Sequence, residues 1–248
     1  MELKQFFKIH PEVAIAFSGG VDSAYLLYAA KQYGRRLKAY YVKTAFQPQF
    51  ELEDATRLAA ELDADMEVLD VDILCKSVIT NNPTDRCYYC KKELFSHILK
   101  AAKEDGFSVL LDGTNASDEA SDRPGMRAIT ELSVRSPLRE CGLTKAEIRR
   151  LSKEAGLFTY DKPAYACLAT RIPTGEVITK DKLFRTEMAE GYLSDMGFRD
   201  FRVRSQGDMA KLQVTETDLT LLIQQREAIL QELKKHYTSI VLDLEVRK

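Results

Sequence analysis

The feature that most constrains this chain is the hexapeptide Ser18-Gly19-Gly20-Val21-Asp22-Ser23, which joins the apolar run of residues 13–17 to a helix-forming stretch at residues 24–33. A strand, a glycine turn and a helix start aim several backbone N–H groups at one point. The helix dipole adds partial positive charge there, so the place suits an anion such as pyrophosphate. Gly19 and Gly20 let the backbone approach a ligand closely, while Ser18 and Ser23 add hydroxyl donors. Asp22 would repel a bare phosphate but can hold Mg²⁺ bridging phosphate oxygens. No lysine follows the glycines, and their spacing is not that of GxGxxG, so neither common phosphate loop is present. The plain alternative is an ordinary βα turn.

The rest of the N-terminal part alternates strand and helix. Residues 13–17, 37–42, 66–71 and 109–111 read as strands, and residues 24–33, 51–62 and 89–104 as helices. This order predicts an α/β fold, a parallel sheet with helices on both faces. Ligands of such sheets bind beyond the carboxyl ends of the strands. The loops after Phe17, after Val42 and at Asp112-Gly113-Thr114-Asn115 therefore belong together. Thr144 and Glu147 form a capping-box pattern that starts a further helix, with a bend at Gly156. Beyond about residue 174 the order becomes a helix at 180–196, strands at 201–204 and 211–214 across Gly207, a helix at 218–237 and a strand at 240–246. That αββαβ order predicts a smaller α+β domain, giving domains 1–174 and 175–248.

The 36 basic and 38 acidic residues leave a net charge of −2, without the excess positive charge that draws a protein to nucleic acid or an anionic membrane. No apolar run approaches the roughly 20 residues needed to span a bilayer, and the N-terminus has no signal-peptide pattern. A cytoplasmic protein is expected. Its five cysteines are then better suited to metal binding or catalysis than to disulfides. Cys87-Tyr88-Tyr89-Cys90 is a CxxC at a helix start beside Arg86, a setting that favours thiolates. Cys167 lies far away in Pro163-Ala164-Tyr165-Ala166-Cys167-Leu168-Ala169-Thr170-Arg171. Cys87, Cys90 and Cys167 can hold three irons of a 4Fe–4S cluster and leave the fourth open. Structural zinc and a redox or inert thiol pair are the alternatives. Cys75 and Cys141 read as packing residues.

Anion handling needs cations. Arg202 and Arg204, two apart on a strand, face the same way and can clamp a phosphate, although two solvated arginines would look the same. Arg171, four residues after Cys167, can face an adenylate or lower the thiol pKa, or simply lie exposed. Asp118, Glu119 and Asp122 crowd the loop after the fourth strand, as solvated acids or as groups for substrate or Mg²⁺.

Taken together and in order, the SGGVDS loop, the RCYYCK segment, the DGTNASDEASDRPG stretch, the SPLRECGLTKAEIR helix and the PAYACLATRIPTG segment resemble the ATP-dependent sulfur transferases of the LarE family. These belong to the PP-loop ATP pyrophosphatases. The resemblance covers nearly the whole chain, and its most specific part is Pro163 to Arg171. It implies adenylylation of a carboxylate of a pyridinium-3,5-biscarboxylate mononucleotide, followed by displacement of AMP by sulfur to give a thiocarboxylate. In one branch Cys167 would be sacrificed as the donor. In another, Cys87, Cys90 and Cys167 would hold a 4Fe–4S cluster carrying an extra sulfide, and the presence of all three favours that branch. The resemblance also implies ATP and Mg²⁺ as cofactors, Arg202 and Arg204 at the substrate phosphate, Glu119 and Glu190 at the substrate site, and self-association, with hexamers seen in the family. Gln213 stands where the family often has Glu, which puts a metal role at that position in doubt.

Two other classes compete. A PP-loop tRNA thiolase shares the loop and catalytic cysteines, but would be expected to carry a basic surface or an RNA-binding domain. A regulatory module would hold ATP or AMP without turnover. Ligases of the GMP and NAD synthetase type give no reason for Cys167 between its flanking residues.

Overall fold

Apolar runs bounded by turns become four parallel strands: β1 (Glu12–Ala16), β2 (Arg36–Lys43), β3 (Met66–Asp70) and β4 (Leu110–Leu111). Their spatial order is β3-β2-β1-β4, with Ile15 opposite Ala39 on one side and Leu111 on the other. In this computed structural model residues 2–118 and 124–247 are described. The chain divides into two compact units: Met1–Ile73 with Asp85–Ala164, and Leu74–Thr84 with Tyr165–Lys248.

In the first unit, alternation along β1 sends side chains to both faces of the sheet. Val13 and Ile15 join Phe6, Ala24, Leu27 and Leu58 in one buried cluster, whereas Ala14 joins Tyr40, Phe95, Ile98 and Ala102 in another. Helices Leu3–Ile9, Val21–Tyr33 and Gln49–Glu61 thus cover one face, and helix Arg86–Glu104 the other. A strand buried on both sides must be apolar throughout, which is why β1 reads as a continuous apolar run. The helix Lys145–Glu154 begins with the expected capping box. It ends at Gly156, whose φ of +72° permits a Schellman closure: Leu157 N–H donates to Ser152 and Gly156 N–H to Lys153. Helices Leu3–Ile9, Ser77–Thr80 and Pro124–Glu131, absent from the sequence reading, also occur, and the SPLRECGLTKAEIR segment holds two helices, Pro137–Glu140 and the start of Lys145–Glu154.

In the second unit, β5 (Arg202–Gln206) and β6 (Met209–Gln213) are antiparallel across a turn at Gly207, and β7 (Ser239–Leu242) adds parallel to β6. Val203, Ala210 and Leu212 face a core formed with Ala189 and Leu193 of helix Lys180–Asp195 and with Leu222, Ile229 and Leu233. The helix expected at 218–237 is two, Leu219–Gln224 and Arg226–Leu233, stepping at Gln225. Strand 240–246 is shorter than expected; among the described residues beyond it the Asp243 N–H still donates to the Leu212 carbonyl (2.9 Å), and Arg247 forms a bridge to Thr215. The excursion Leu74–Thr84 packs into this unit through Asn82. This buried residue has φ +54°, and its amide donates to the carbonyls of Ile172 (3.2 Å) and Pro173 (2.7 Å).

No helix among the described residues is long and apolar enough to cross a membrane.

Candidate active site

Chemistry-bearing residues gather at one place in each unit. In the first unit the glycine loop leaves β1 at its carboxyl end. Gly19 has φ +70°, and a Cβ there would stand 3.0 Å from the Ala55 Cβ. A left-handed, close-packed position of this kind needs glycine. Ser18 N–H donates to Ser23 Oγ (3.3 Å), the two hydroxyls are 3.1 Å apart, and Ser23 Oγ donates to the Gly20 carbonyl (3.1 Å). Helix Val21–Tyr33 has Gly20 as its N-cap and no side-chain cap. Its first N–H groups are therefore left for a ligand.

Asp22 sits on that first turn. Its Oδ2 accepts from Lys145 Nζ at 2.6 Å, and its Oδ1 is buried without a hydrogen-bond partner among the described residues. Burial raises the Asp22 pKa despite the opposing bond and charge of Lys145. A buried carboxylate oxygen with no donor fits a divalent cation, and the adjacent ammonium fits the anion such a cation accompanies. The expected Mg²⁺ role of Asp22 thus has a matching donor atom.

The loop after β4 closes against the same turn. Buried Asp112 accepts hydrogen bonds from the hydroxyls of Thr114 (2.5 Å) and Ser136 (2.6 Å), which fixes the direction of the loop. A Cβ at Gly113 would lie 2.9 Å from Ser23 N and 3.2 Å from Ser23 Cα, so this backbone approaches the helix start directly. Gly113→Ala should push the two apart at a cost of about 1–3 kcal/mol, lowering the thermal unfolding midpoint and weakening ATP binding in a titration. The Ser117 N–H donates to Asn115 Oδ1 (2.8 Å), and Ser117 Oγ accepts from Lys145 N–H (3.0 Å). The loop thereby carries Lys145 toward Asp22. Glu119 and Asp122 lie outside the described residues; Asp118 is inside them, and its charge adds to the upward shift of Asp22.

Cys87 and Cys90 stand three apart on the first turn of helix Arg86–Glu104, where i and i+3 share a face. Arg86 Nη2 is 3.8 Å from the exposed Cys87 sulfur. Between the cysteines, Tyr88 donates to Glu131 (2.7 Å) and lies under Arg127 (3.8 Å to the ring centre), which pins this turn to helix Pro124–Glu131. No cysteine forms a disulfide. Among the described residues no three His, Cys, Asp or Glu side chains gather at one point. Two thiols on one helical face beside a guanidinium are chemically suited to binding a soft metal.

In the second unit Cys167 precedes a short 3₁₀ turn, Leu168–Arg171. Arg171 is wholly buried. Its Nε and Nη2 donate to Glu190 at 2.9 and 3.0 Å, and its Nη1 donates to the carbonyls of Ala166 (2.6 Å) and Cys167 (3.3 Å) and to the Thr170 hydroxyl (2.9 Å). Burial opposes its charge, yet the bond and charge of Glu190 raise its pKa. Arg171 is therefore not exposed: its donors go to Glu190, the Thr170 hydroxyl and the backbone of the cysteine loop. Glu190 is likewise enclosed: it accepts from Arg171, Tyr165 and the Val203 N–H (2.9 Å).

Arg202 and Arg204 alternate with the core residue Val203 and so share the opposite face of β5, as the spacing predicts. Arg204 donates to Gln213 Oε1 (2.8 Å) and the Thr170 carbonyl (2.6 Å), and Gln213 donates onward to Asp243 (2.7 Å). Gln213 is therefore an amide bridge between a guanidinium and a carboxylate. Burial first, then repulsion from Arg171 and Arg247, lowers the pKa of both Arg202 and Arg204. A bound anion would relieve that repulsion. Sequence reasoning missed Arg247, whose guanidinium pairs with Asp200 at 2.9 Å, and Lys145. Lysine in a helix's first turn opposes the dipole, and that local conflict was the available signal.

Residues 12–87, from β1 to the first cysteine of the CxxC, match the family described as queuosine biosynthesis protein QueC. Over 225 residues the chain is 37% identical to an uncharacterized protein of Synechocystis sp., covering 90% of this chain and 83% of the relative. It is 35% identical over 206 residues to pyridinium-3,5-bisthiocarboxylic acid mononucleotide synthase of Lactiplantibacillus plantarum, covering 82% and 75%. It is 28% identical over 196 residues to tRNA-specific 2-thiouridylase MnmA of Thermotoga maritima, covering 61% of this chain and 54% of that protein.

Proposed function

The chain belongs to the LarE family of ATP-dependent sulfur transferases, and from that premise we propose that it adenylylates a carboxylate of pyridinium-3,5-biscarboxylate mononucleotide and converts it to a thiocarboxylate. The observation that carries this is the likeness to the pyridinium synthase, which extends well past the glycine loop. The thiouridylase likeness covers a smaller share of both chains and leaves tRNA thiolation as the second reading.

A carboxylate resists nucleophiles because of its charge. In the first step one of its oxygens attacks the α-phosphorus of ATP, the bond to the bridging oxygen of the β-phosphate breaks, and pyrophosphate leaves. Ser18, Gly19, Gly20 and Ser23 would cradle the departing pyrophosphate, Asp22 would hold Mg²⁺, and Lys145 would neutralise the phosphate charge that develops. In the second step a sulfur nucleophile at Cys167 adds to the acyl carbon, and AMP leaves with the electron pair of the broken C–O bond; where the sulfur is the cysteine's own, the resulting thioester releases the thiocarboxylate by loss of the Cys167 Cα proton and cleavage of its Cβ–S bond, leaving dehydroalanine. Arg202 and Arg204 would hold the phosphate of the pyridinium nucleotide through paired guanidinium hydrogen bonds. The acid expected at Glu119 would complete the substrate site. We assign ATP handling to residues 1–174, and substrate binding and self-association to residues 175–248.

Cys87, Cys90 and Cys167 would hold a 4Fe–4S cluster, which supplies, when bound, an open iron able to carry a sulfide. Anaerobic purification with iron and acid-labile sulfide counts tests this. About four irons per chain are expected, lost in Cys87→Ala. No iron after anaerobic reconstitution would leave Cys167 as a sacrificial donor, detectable as a chain lighter by one H₂S after turnover. The overall reaction is tested by supplying the biscarboxylate nucleotide, ATP and Mg²⁺ and following pyrophosphate and thiocarboxylate. Pyrophosphate release only with a tRNA acceptor would favour thiolation.

A further inference from the structure

The buried ion pair of the second unit has more contacts than an ion pair needs. Arg171 reaches forward to Glu190 and back to the carbonyls of Ala166 and Cys167. Glu190 reaches two further elements, taking the Tyr165 hydroxyl from the segment just before Cys167 and the Val203 N–H from β5. The Tyr165 ring also lies against both arginines, 4.4 Å from the Arg171 guanidinium and 5.3 Å from that of Arg202. The Thr170 carbonyl accepts from Arg204. Arg171, Glu190, Tyr165 and Thr170 thus link the cysteine loop to β5, the strand that bears Arg202 and Arg204.

The charges explain why the arrangement is rigid. Arg171 and Glu190 are both almost fully buried. Each would be an unpaired charge in a low-dielectric site if the other moved, so the pair resists separation. Arg171 anchors the backbone on both sides of the peptide that bears the sulfur. A guanidinium is a planar fork with fixed donor directions, so it sets both distance and angle. Lysine would supply the charge without the fork.

We infer that Arg171, Glu190 and Tyr165 are positioning residues that fix the Cys167 backbone against the Arg202–Arg204 strand, so that sulfur transfer depends on them while adenylylation does not. The inference rests on the proposed reaction for its kinetic consequence. Its structural consequence, an ordered Cys167 loop, stands without it. Sulfur attack is sensitive to placement because the reacting atoms must meet within a few tenths of an ångström, and a displacement of about 1 Å can cost ~100-fold.

The test uses the full chain with Arg171→Lys and the milder Tyr165→Phe, each checked by thermal unfolding. Three readings are taken: ATP–pyrophosphate exchange with the biscarboxylate nucleotide, single-turnover thiocarboxylate formation, and iodoacetamide alkylation of Cys167 followed by peptide mass spectrometry. In Arg171→Lys, transfer should fall ~100-fold while exchange stays within about twofold. Tyr165→Phe, which keeps the ion pair, should lose about tenfold in transfer. Cys167 alkylation should change rate in both, with the larger change in Arg171→Lys. Transfer equal to wild type in both variants would overturn the inference. So would transfer and exchange falling by the same factor in Tyr165→Phe, and so would an unchanged alkylation rate. If wild type itself shows no exchange with this nucleotide, the proposed reaction fails, and alkylation still decides the positioning role.

Discussion

Cys167→Ser should abolish thiocarboxylate formation, by on the order of 10³-fold or more, while ATP–pyrophosphate exchange persists near the wild-type rate. Serine keeps the size and the backbone, so the clamp of Arg171 on the Ala166 and Cys167 carbonyls is retained. What is lost is the thiol, and a hydroxyl in its place remains protonated and is a far weaker nucleophile. The outcome is the same for either sulfur source. A sacrificial Cys167 supplies the atom itself, and a cluster-ligating Cys167 supplies the third thiolate. The two separate in wild type: a sacrificial donor limits each chain to one turnover, whereas a reloadable sulfide does not. Exchange falling together with transfer would place Cys167 in adenylylation and contradict the division of labour proposed here.

The order of strands, the glycine loop and the capping box could be read from sequence because each is local. Residues 13–17 are apolar throughout since both sheet faces are covered, and Gly19 is glycine since its φ is +70° beside Ala55. The break at Gln225 was not legible: no glycine or proline marks it, and buried Leu222, Ile229 and Leu233 keep a nearly helical spacing across it. Nor was the packing of Asn82 beneath Ile172 and Pro173, a contact ninety residues apart in sequence. Site residues divide the same way. The shared face of Arg202 and Arg204 follows from strand period alone. The pairing of Arg171 with Glu190 does not, because charged residues in a loop and on a helix are ordinarily solvated. Lys145 was visible only as part of a helix start, and its role comes from a fold that brings residue 145 to residue 22.

Asp22→Asn and Lys145→Ala should each depress ATP–pyrophosphate exchange by on the order of 10²–10³-fold while leaving Cys167 alkylation unchanged. The two act differently, and a magnesium titration separates them. Asp22 has one oxygen on Lys145 and one buried with no partner among the described residues. Asparagine replaces a negative metal ligand by a neutral one, so the loss should shrink as Mg²⁺ is raised. Lys145→Ala removes the cation that offsets both Asp22 and the polyphosphate, so the loss should appear in the rate and in the KM for ATP at every Mg²⁺ concentration. Lys145→Arg should recover only part of the rate: the charge returns, but a planar guanidinium does not reproduce a point contact at 2.6 Å. The double variant supplies the decisive comparison. If Lys145 acts on ATP only by orienting Asp22, the double variant is no worse than Asp22→Asn alone. If Lys145 contacts the phosphates, as its place beside an uncapped helix N-terminus implies, the two losses approach additivity.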